Sequence, residues 1–423
     1  MNTNKSGIVL LYIIAACSTF SARADLNFSN QQITHGPKHH LFGYIGQCQT
    51  IPWNASGRYI LALEIDSIDQ MPTTSDAATI LLLDTTENYR PIPNSQTRAW
   101  NPQQGAMMYW NPQAAESQFL FNDRDPTSNK IFTVLHDMEG GPPGKRVREY
   151  RDEDRPVANS GVAQNGGWFM AINYGRLARL RPVTGYPEAY DWTRDNPAQP
   201  DDDGIFRINI QSGARELVAS YARLADLIRP MRPDVDGIPL FINHTLWSRD
   251  DSLVYAFVRG GWHNAPKGQR RINVPISMRP DGSELAVHTQ FIGGHPEWLN
   301  GHQVIGKVGK SQAIYDALKK EIVGQIGNDS TFVDPEGDIS LSPDASWFVN
   351  GFHKNGANNY TLYRMRDGLT GTTPELTVGG RTSGDLRIDP APTWNRESNA
   401  FLVPGLADDG TRQMFIVRFE AAQ

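Results

Sequence analysis

A unit of about fifty residues recurs along this 423-residue chain, and it constrains the fold more than any other feature. Each copy starts with an aromatic or aliphatic anchor, passes through a short polar turn and enters an apolar run rich in β-branched and aromatic residues. The copies read Trp53-Asn54-Ala55-Ser56-Gly57-Arg58-Tyr59, Trp110-Asn111-Pro112 before Phe119-Leu120-Phe121, and Trp247-Ser248-Arg249-Asp250 before Leu253-Val254-Tyr255. They continue as Trp298-Leu299-Asn300-Gly301, Leu341-Ser342-Pro343-Asp344 before Trp347-Phe348-Val349, and Trp394-Asn395-Arg396 before Phe401-Leu402-Val403. A degenerate copy, Asn165-Gly166-Gly167 before Trp168-Phe169-Met170, brings the number to seven. Four short strands and their turns occupy roughly 40–50 residues in a propeller blade. An all-β, seven-bladed β-propeller with short helical insertions is therefore predicted over 39–423, preceded by a linker over 25–38.

One interval between copies is long, about 82 residues. It holds an inserted loop from Arg181 to Asp203 and a predicted helix over Glu216–Ile228, where Leu217, Tyr221, Leu224 and Ile228 recur at helical spacing. A second helix is predicted over Ser311–Val323. With 39% hydrophobic and 20% charged residues the chain has the composition of a globular protein and not of a disordered one. A formal charge of −6 provides no basic field for a polyphosphate backbone, so nucleic acid is not an expected partner.

The N-terminus carries Lys5, an apolar run from Ile8 to Ala16 and then small residues, the layout of an export signal. A cut after Ala22-Arg23-Ala24 defines a signal peptide over 1–24. A cut before Cys17, where Ile14-Ala15-Ala16-Cys17 reads like a lipobox, defines a lipoprotein signal over 1–16 and a lipid anchor at Cys17. The expected location is the periplasm, the exterior or the outer membrane as a lipoprotein. No later stretch is apolar enough for a transmembrane span. Cys48 is the second cysteine and reads as a lone thiol.

Innermost strands line the channel of a propeller, so the residues just before each anchor face its mouth. Three positions upstream of the anchors stand Thr50, Met107, His244, His295, Asp338 and Ala391. Three consecutive blades thus offer His244, His295 and Asp338, a donor set suited to a divalent metal ion such as manganese, calcium or zinc. The competing reading has each histidine bonding neighbouring backbone. The third blade is rich in cationic and phenolic groups: Tyr174, Arg176, Arg179, Arg181, Tyr186, Tyr190 and Arg207. Read as a strand, this stretch puts Arg179 and Arg181 on one face and Arg176 on the other. Guanidinium forks match carboxylates, which makes an acidic ligand the expected partner. Gly306-Lys307-Val308-Gly309-Lys310-Ser311 lacks the glycine spacing of a phosphate loop. The acidic run 201–204 reads as a solvated turn.

The segments HHLFGY (39–44), WNASGRYILALEID (53–66), TRAWNPQQG (97–105), FND (121–123), GRLARLRP (175–182), DDGIFR (202–207) and NHTLW (243–247) resemble the oligogalacturonate-lyase-like seven-bladed propellers. That group is related in fold to the propeller ulvan lyases. The resemblance implies β-elimination on a uronate-containing polysaccharide. By it, His244 matches the catalytic histidine and His295 a metal ligand, while Tyr186 or Tyr190 with Arg207 matches the proton-transfer and carboxylate-neutralising groups of the ulvan lyases. Two departures stand out. Gln104 and Asn122 occupy the second-blade positions where ulvan lyases use histidines, and Asp338 and Ala391 stand where the oligogalacturonate lyases have further histidines. The expectation is an exported lyase for an acidic oligo- or polysaccharide. His244 would be its base, with Arg176, Arg181 or Arg207 on the carboxylate and Gln104 and Asn122 near the sugar. The competing expectation is a non-catalytic propeller that binds glycan or protein at its mouth.

Overall fold

The computed structural model describes residues 26–43, 50–195 and 198–421. Cys17, Cys48 and both predicted leader cuts lie outside these residues. The described chain forms seven antiparallel sheets, six of four strands and one of five. They are the blades of a propeller: 39–97, 109–150, 158–220, 240–287, 297–326, 338–377 and 393–421. Strand character follows burial. Val254–Gly260 (VYAFVRG) is buried throughout because neighbouring blades cover both its faces, and it is almost continuously apolar. Lys145–Tyr150 (KRVREY) lies at an outer edge and is largely exposed and charged.

The anchors tie blade to blade. Trp110 donates its indole N–H to the carbonyl of Pro52 (2.7 Å), Trp247 to Gly161 (2.9 Å), Trp298 to Leu246 (2.8 Å) and Trp394 to Ser340 (3.2 Å). In each case the acceptor belongs to the preceding blade and stands one residue before that blade's own anchor position. The third blade has Val162 at this position, on the innermost strand Ala158–Val162, which is why its copy looked degenerate. The polar residue after an anchor closes the turn. Side-chain oxygens of Asn54, Ser248, Ser342 and Asn395 accept the N–H groups of Tyr59, Leu253, Trp347 and Ala400, five residues on, at 2.9–3.1 Å. Two residues after their anchors, Arg249 and Arg396 extend the ties. Arg249 donates to the carbonyls of Trp298, Leu341, Ser342 and Pro343, and Arg396 to those of Trp53 and Asn54.

Four expectations need correction. The segment 25–38 is not only a linker. Leu26–Gln32 is the outermost strand of the seventh blade, running antiparallel to the chain's last strand from Leu26↔Ala421 to Gln32↔Phe415. Its alternation puts Leu26 and Phe28 against the core of the last two blades, and the ring is sealed by its two ends. Ser311–Val323 is not a helix. Ser311–Asp316 and Glu321–Ile326 are strands, and Gly309, at φ 62°, turns the hairpin that opposes Val308 to Ser311. The helix predicted from Glu216 starts later, as Tyr221–Ile228, because Ser220 caps it and Arg215–Ser220 completes the third blade. Finally, Tyr174–Leu180 is a helix and not a strand, capped by the Asn173 side chain, which accepts the Arg176 N–H at 2.9 Å.

That helix opens the third-blade insertion, and a buried polar network fastens it. Arg176 is 1% exposed. It donates to the Leu240 carbonyl (2.6 Å), the Thr193 hydroxyl (2.8 Å) and the Ala198 carbonyl (2.5 Å), and its guanidinium lies over Tyr221. The Asn173 amide bonds both Asp191 and Asp203 at 3.0 Å, and burial drives the Asp203 carboxyl up to about 7.

The indole ties define a stability test. Trp298→Phe should destabilise the fold by about 2 kcal/mol or more in urea unfolding, since the buried Leu246 carbonyl loses its donor. Trp192→Phe should cost less, because the Trp192 indole N–H has no hydrogen-bond partner among the described residues. Equal losses would show that the indole bonds contribute nothing.

Candidate functional site

Antiparallel pairing places the end of each second strand beside the start of the innermost strand, so both reach the same rim. In the fourth blade Phe241 pairs with Arg259 and Leu240 with Gly260. His244 is the extra residue of a β-bulge, between the pairs Asn243↔Phe257 and Thr245↔Ala256, and its φ is 64°. Left-handed backbone at a non-glycine position is costly, and a bulge re-aims the side chain it carries. The His244 ring lies 6.2 Å from that of His295, nearly perpendicular to it, and 6.4 Å from Phe257.

His295 turns Nδ1 toward Asp338 Oδ1 at 3.0 Å. The other oxygen of Asp338 accepts the Ala391 N–H at 3.0 Å, so the next blade fixes the carboxylate. Burial works against a charged imidazole at His295, but the carboxylate of Asp338, helped by Asp389, outweighs it and holds the His295 pKa above its ordinary value. Asp338 is lowered in turn: burial opposes ionisation and the imidazole overcomes it. Asp389 is raised by burial and by the neighbouring Asp338 charge, although Arg387 Nε lies 2.6 Å from it. Arg387 also reaches the Gln103 side chain at 3.1 Å.

Around this acid–imidazole group stand guanidiniums that form no ion pair among the described residues. Arg259 is 6% exposed. Burial, then the charge of Arg181, lowers its pKa to about 9. Arg412 donates to the Pro102 carbonyl at 2.7 Å and is lowered by burial to about 10. Burial also lowers Arg181, with Arg387 and Arg271 adding repulsion.

Of the residues singled out from sequence, the rim brings together His244, His295, Asp338 and Arg181. The others go elsewhere. Tyr186 is fully buried, stacked on Tyr174 at 4.5 Å, with its hydroxyl accepting the Asn122 amide at 3.1 Å; burial raises its pKa. Asn122 is also fully buried, and its carbonyl oxygen accepts from Thr133 (3.1 Å). Arg176 is consumed by the insertion's network. Tyr190 is exposed, beneath Lys130. Arg207 lies at mid-strand, opposite Met170, ion-paired with Glu216 at 2.7 Å over the Trp168 ring. Gln104 is buried in a loop whose backbone is bonded by Asn101, and its neighbour Gln103 makes the contact with Arg387. Arg259, Trp262, Arg387, Asp389 and Arg412 were missed. Arg387 and Asp389 lie four and two residues before Ala391, off the position three residues upstream of the anchor. Arg259 stands near the end of a second strand, away from the anchor pattern of the innermost ones.

The expected metal set does not assemble. Among the described residues no group of three or more His, Cys, Asp or Glu is arranged to hold a metal ion. The physical reason is that both Asp338 oxygens are engaged, one by His295 and one by the Ala391 N–H, while His244 stands edge-on to His295.

No protein-family model matches the chain, and no curated protein matches it in sequence. In three dimensions it is similar to an oligogalacturonate lyase solved in complex with manganese, with a TM-score of 0.53 at 13% identity over 94% of this chain and 97% of that one. The β-propeller domain of the Trilobed protease from Pyrococcus furiosus follows at 0.45, with 12% identity over 85% and 91%. TolB from Acinetobacter baumannii stands at 0.39, with 11% identity over 87% and 82%. The first likeness supports the propeller fold.

The His295–Asp338 pair carries a pH signature. With its folded pKa raised, the protonated imidazole contributes stability that is fully present below about 6.5 and is lost as pH rises through the folded value. Asp338→Asn should bring the His295 titration, followed by imidazole NMR, below 6.5, because burial then dominates. An unmoved titration would contradict the pairing.

Proposed function

We propose that this chain is an exported polysaccharide lyase that cleaves a uronate-containing glycan by β-elimination at the rim where the fourth, fifth and sixth blades meet. The observation that carries the reading is the pairing of His244 with a second imidazole held toward its charged form, beside a buried guanidinium that forms no ion pair among the described residues. The structural likeness to an oligogalacturonate lyase agrees with it, as does the apolar leader Ile8–Ala16.

The reaction needs three things of the protein. The C5 proton of a uronate becomes removable when the adjacent carboxylate is neutralised, since negative charge grows there in the transition state. Arg259 supplies that cation: it is the guanidinium that acts electrostatically on His295, and it shares the Phe257 ring with His244. His244 takes the proton from C5. The electron pair forms the C4–C5 double bond and expels the C4 oxygen, and His295, protonated under the influence of Asp338, returns a proton to that oxygen. The two imidazoles thus have opposite duties, set by their surroundings. No step requires an ion held by His244, His295 and Asp338.

Fragments of pectin, ulvan, alginate and glycosaminoglycans should include at least one whose incubation with the protein raises the ultraviolet absorbance of an unsaturated uronate. His244→Ala should lower that rate by roughly 10²–10⁴-fold with an unchanged melting curve. No rise on any substrate, with saturable binding retained, would make the protein a binding propeller instead.

A further inference from the structure

The rim holds a second concentration of positive charge beside the reacting pair. Three guanidiniums surround one indole: Arg181 lies 4.5 Å from the Trp262 ring centre, Arg271 4.8 Å and Arg259 5.2 Å. Trp262 is itself fixed, donating to the Ile272 carbonyl at 3.0 Å. Among the described residues none of the three arginines makes an ion pair. Among the described residues their side chains make one hydrogen bond, from Arg259 Nε to Asn273 at 2.9 Å, and buried Arg181 Nε makes none. Cations over an aromatic face are attracted to it, but three like charges at this spacing repel one another. Arg229, by contrast, stands between two acids, Asp226 and Asp236. Here Asp385 acts on Arg181 and Glu336 on Arg259 without an ion pair being formed among the described residues, so a ligand can bring the close opposing charge.

We propose that Arg181, Arg271 and Trp262 form a subsite for an anionic group on the sugar next to the one being cleaved, so that the preferred substrate is charged on adjacent units. The inference rests on the lyase reading for its geometry, since Arg259 joins the two regions: it serves the reacting carboxylate on the Phe257 side and touches the Trp262 cage on the other. Planar guanidinium forks donate equally to the oxygens of a carboxylate or of a sulfate ester. The neighbouring anion is therefore a second uronate in a homopolymer or a sulfated sugar in a mixed one.

Calorimetric titration of the full-length His244→Ala protein separates these cases with three probes: trigalacturonate, its fully methyl-esterified form, and a sulfated trisaccharide from chondroitin sulfate. At low salt an anionic trisaccharide should bind at least tenfold more tightly than the ester. Arg181→Gln and the exposed Arg271→Gln should each weaken that binding about fivefold or more while leaving the ester unchanged. Selective loss for trigalacturonate identifies a carboxylate, and for the sulfated probe a sulfate ester. The Arg271 substitution leaves the core untouched, so misfolding does not obscure the result. Affinity for anionic probes unchanged in both variants, or no binding of either anionic probe, would overturn the subsite. An absent absorbance change in the unsubstituted protein alongside these affinity losses would remove the elimination chemistry and leave the subsite standing.

Discussion

An indole N–H that reaches back to the preceding blade's innermost strand, at four of the seven junctions between blades among the described residues, is the interaction on which this ring depends. A propeller blade is a twisted sheet that buries both faces against its neighbours, and apolar packing alone leaves the rotation between two such faces loosely specified. A directional bond to a buried carbonyl, repeated at Trp110, Trp247, Trp298 and Trp394, fixes it. Arg249 and Arg396 then carry the tie onward through backbone carbonyls of following blades. The N-terminal strand Leu26–Gln32 closes the circle by pairing with the last strand, so the two ends of the chain hold each other.

That register is what gives three consecutive sectors a common meeting point. Once the fourth, fifth and sixth blades are locked in rotation, His244, His295 and Asp338 approach the same rim. The local fold then gives them different surroundings. The bulge at His244 turns one imidazole toward its neighbour, while Asp338, fixed by the Ala391 N–H of the seventh blade, holds the other toward its charged form. The third-blade insertion, pinned by Arg176, Asp191 and Asp203, brings Arg181 across to the fourth blade's Trp262. Buried networks of this kind are costly unless every member is satisfied, and Arg176, with all three of its donor groups engaged, belongs to that class.

The blade count was legible because its signal is local: an anchor, a turn-closing Asn or Ser, and an apolar strand fall within about a dozen residues of one another. His244, His295 and Asp338 were legible for the same reason, at a constant offset from their anchors. The arginine helix was not. Tyr174–Leu180 carries apolar and cationic residues that alternate as readily as they wind, and what decides for helix is the Asn173 cap together with burial of Arg176, a tertiary effect. Ser311–Val323 failed in the opposite direction, since it spans the hairpin of Ser311–Asp316 with Glu321–Ile326, which turns through Lys320 at φ 60°. Arg259, Arg387 and Trp262 could not be joined from sequence, because only the closed ring brings blades four and seven to one mouth.

Diffraction from crystals of the His244→Ala protein soaked with a uronate trisaccharide tests this arrangement most directly. The expected result is a uronate carboxylate within hydrogen-bond reach of Arg259, with the glycosidic oxygen at C4 facing His295. A sugar seated at the opposite end of the channel, near Arg249 and Arg396, or one that touches neither Arg259 nor His295, would contradict it.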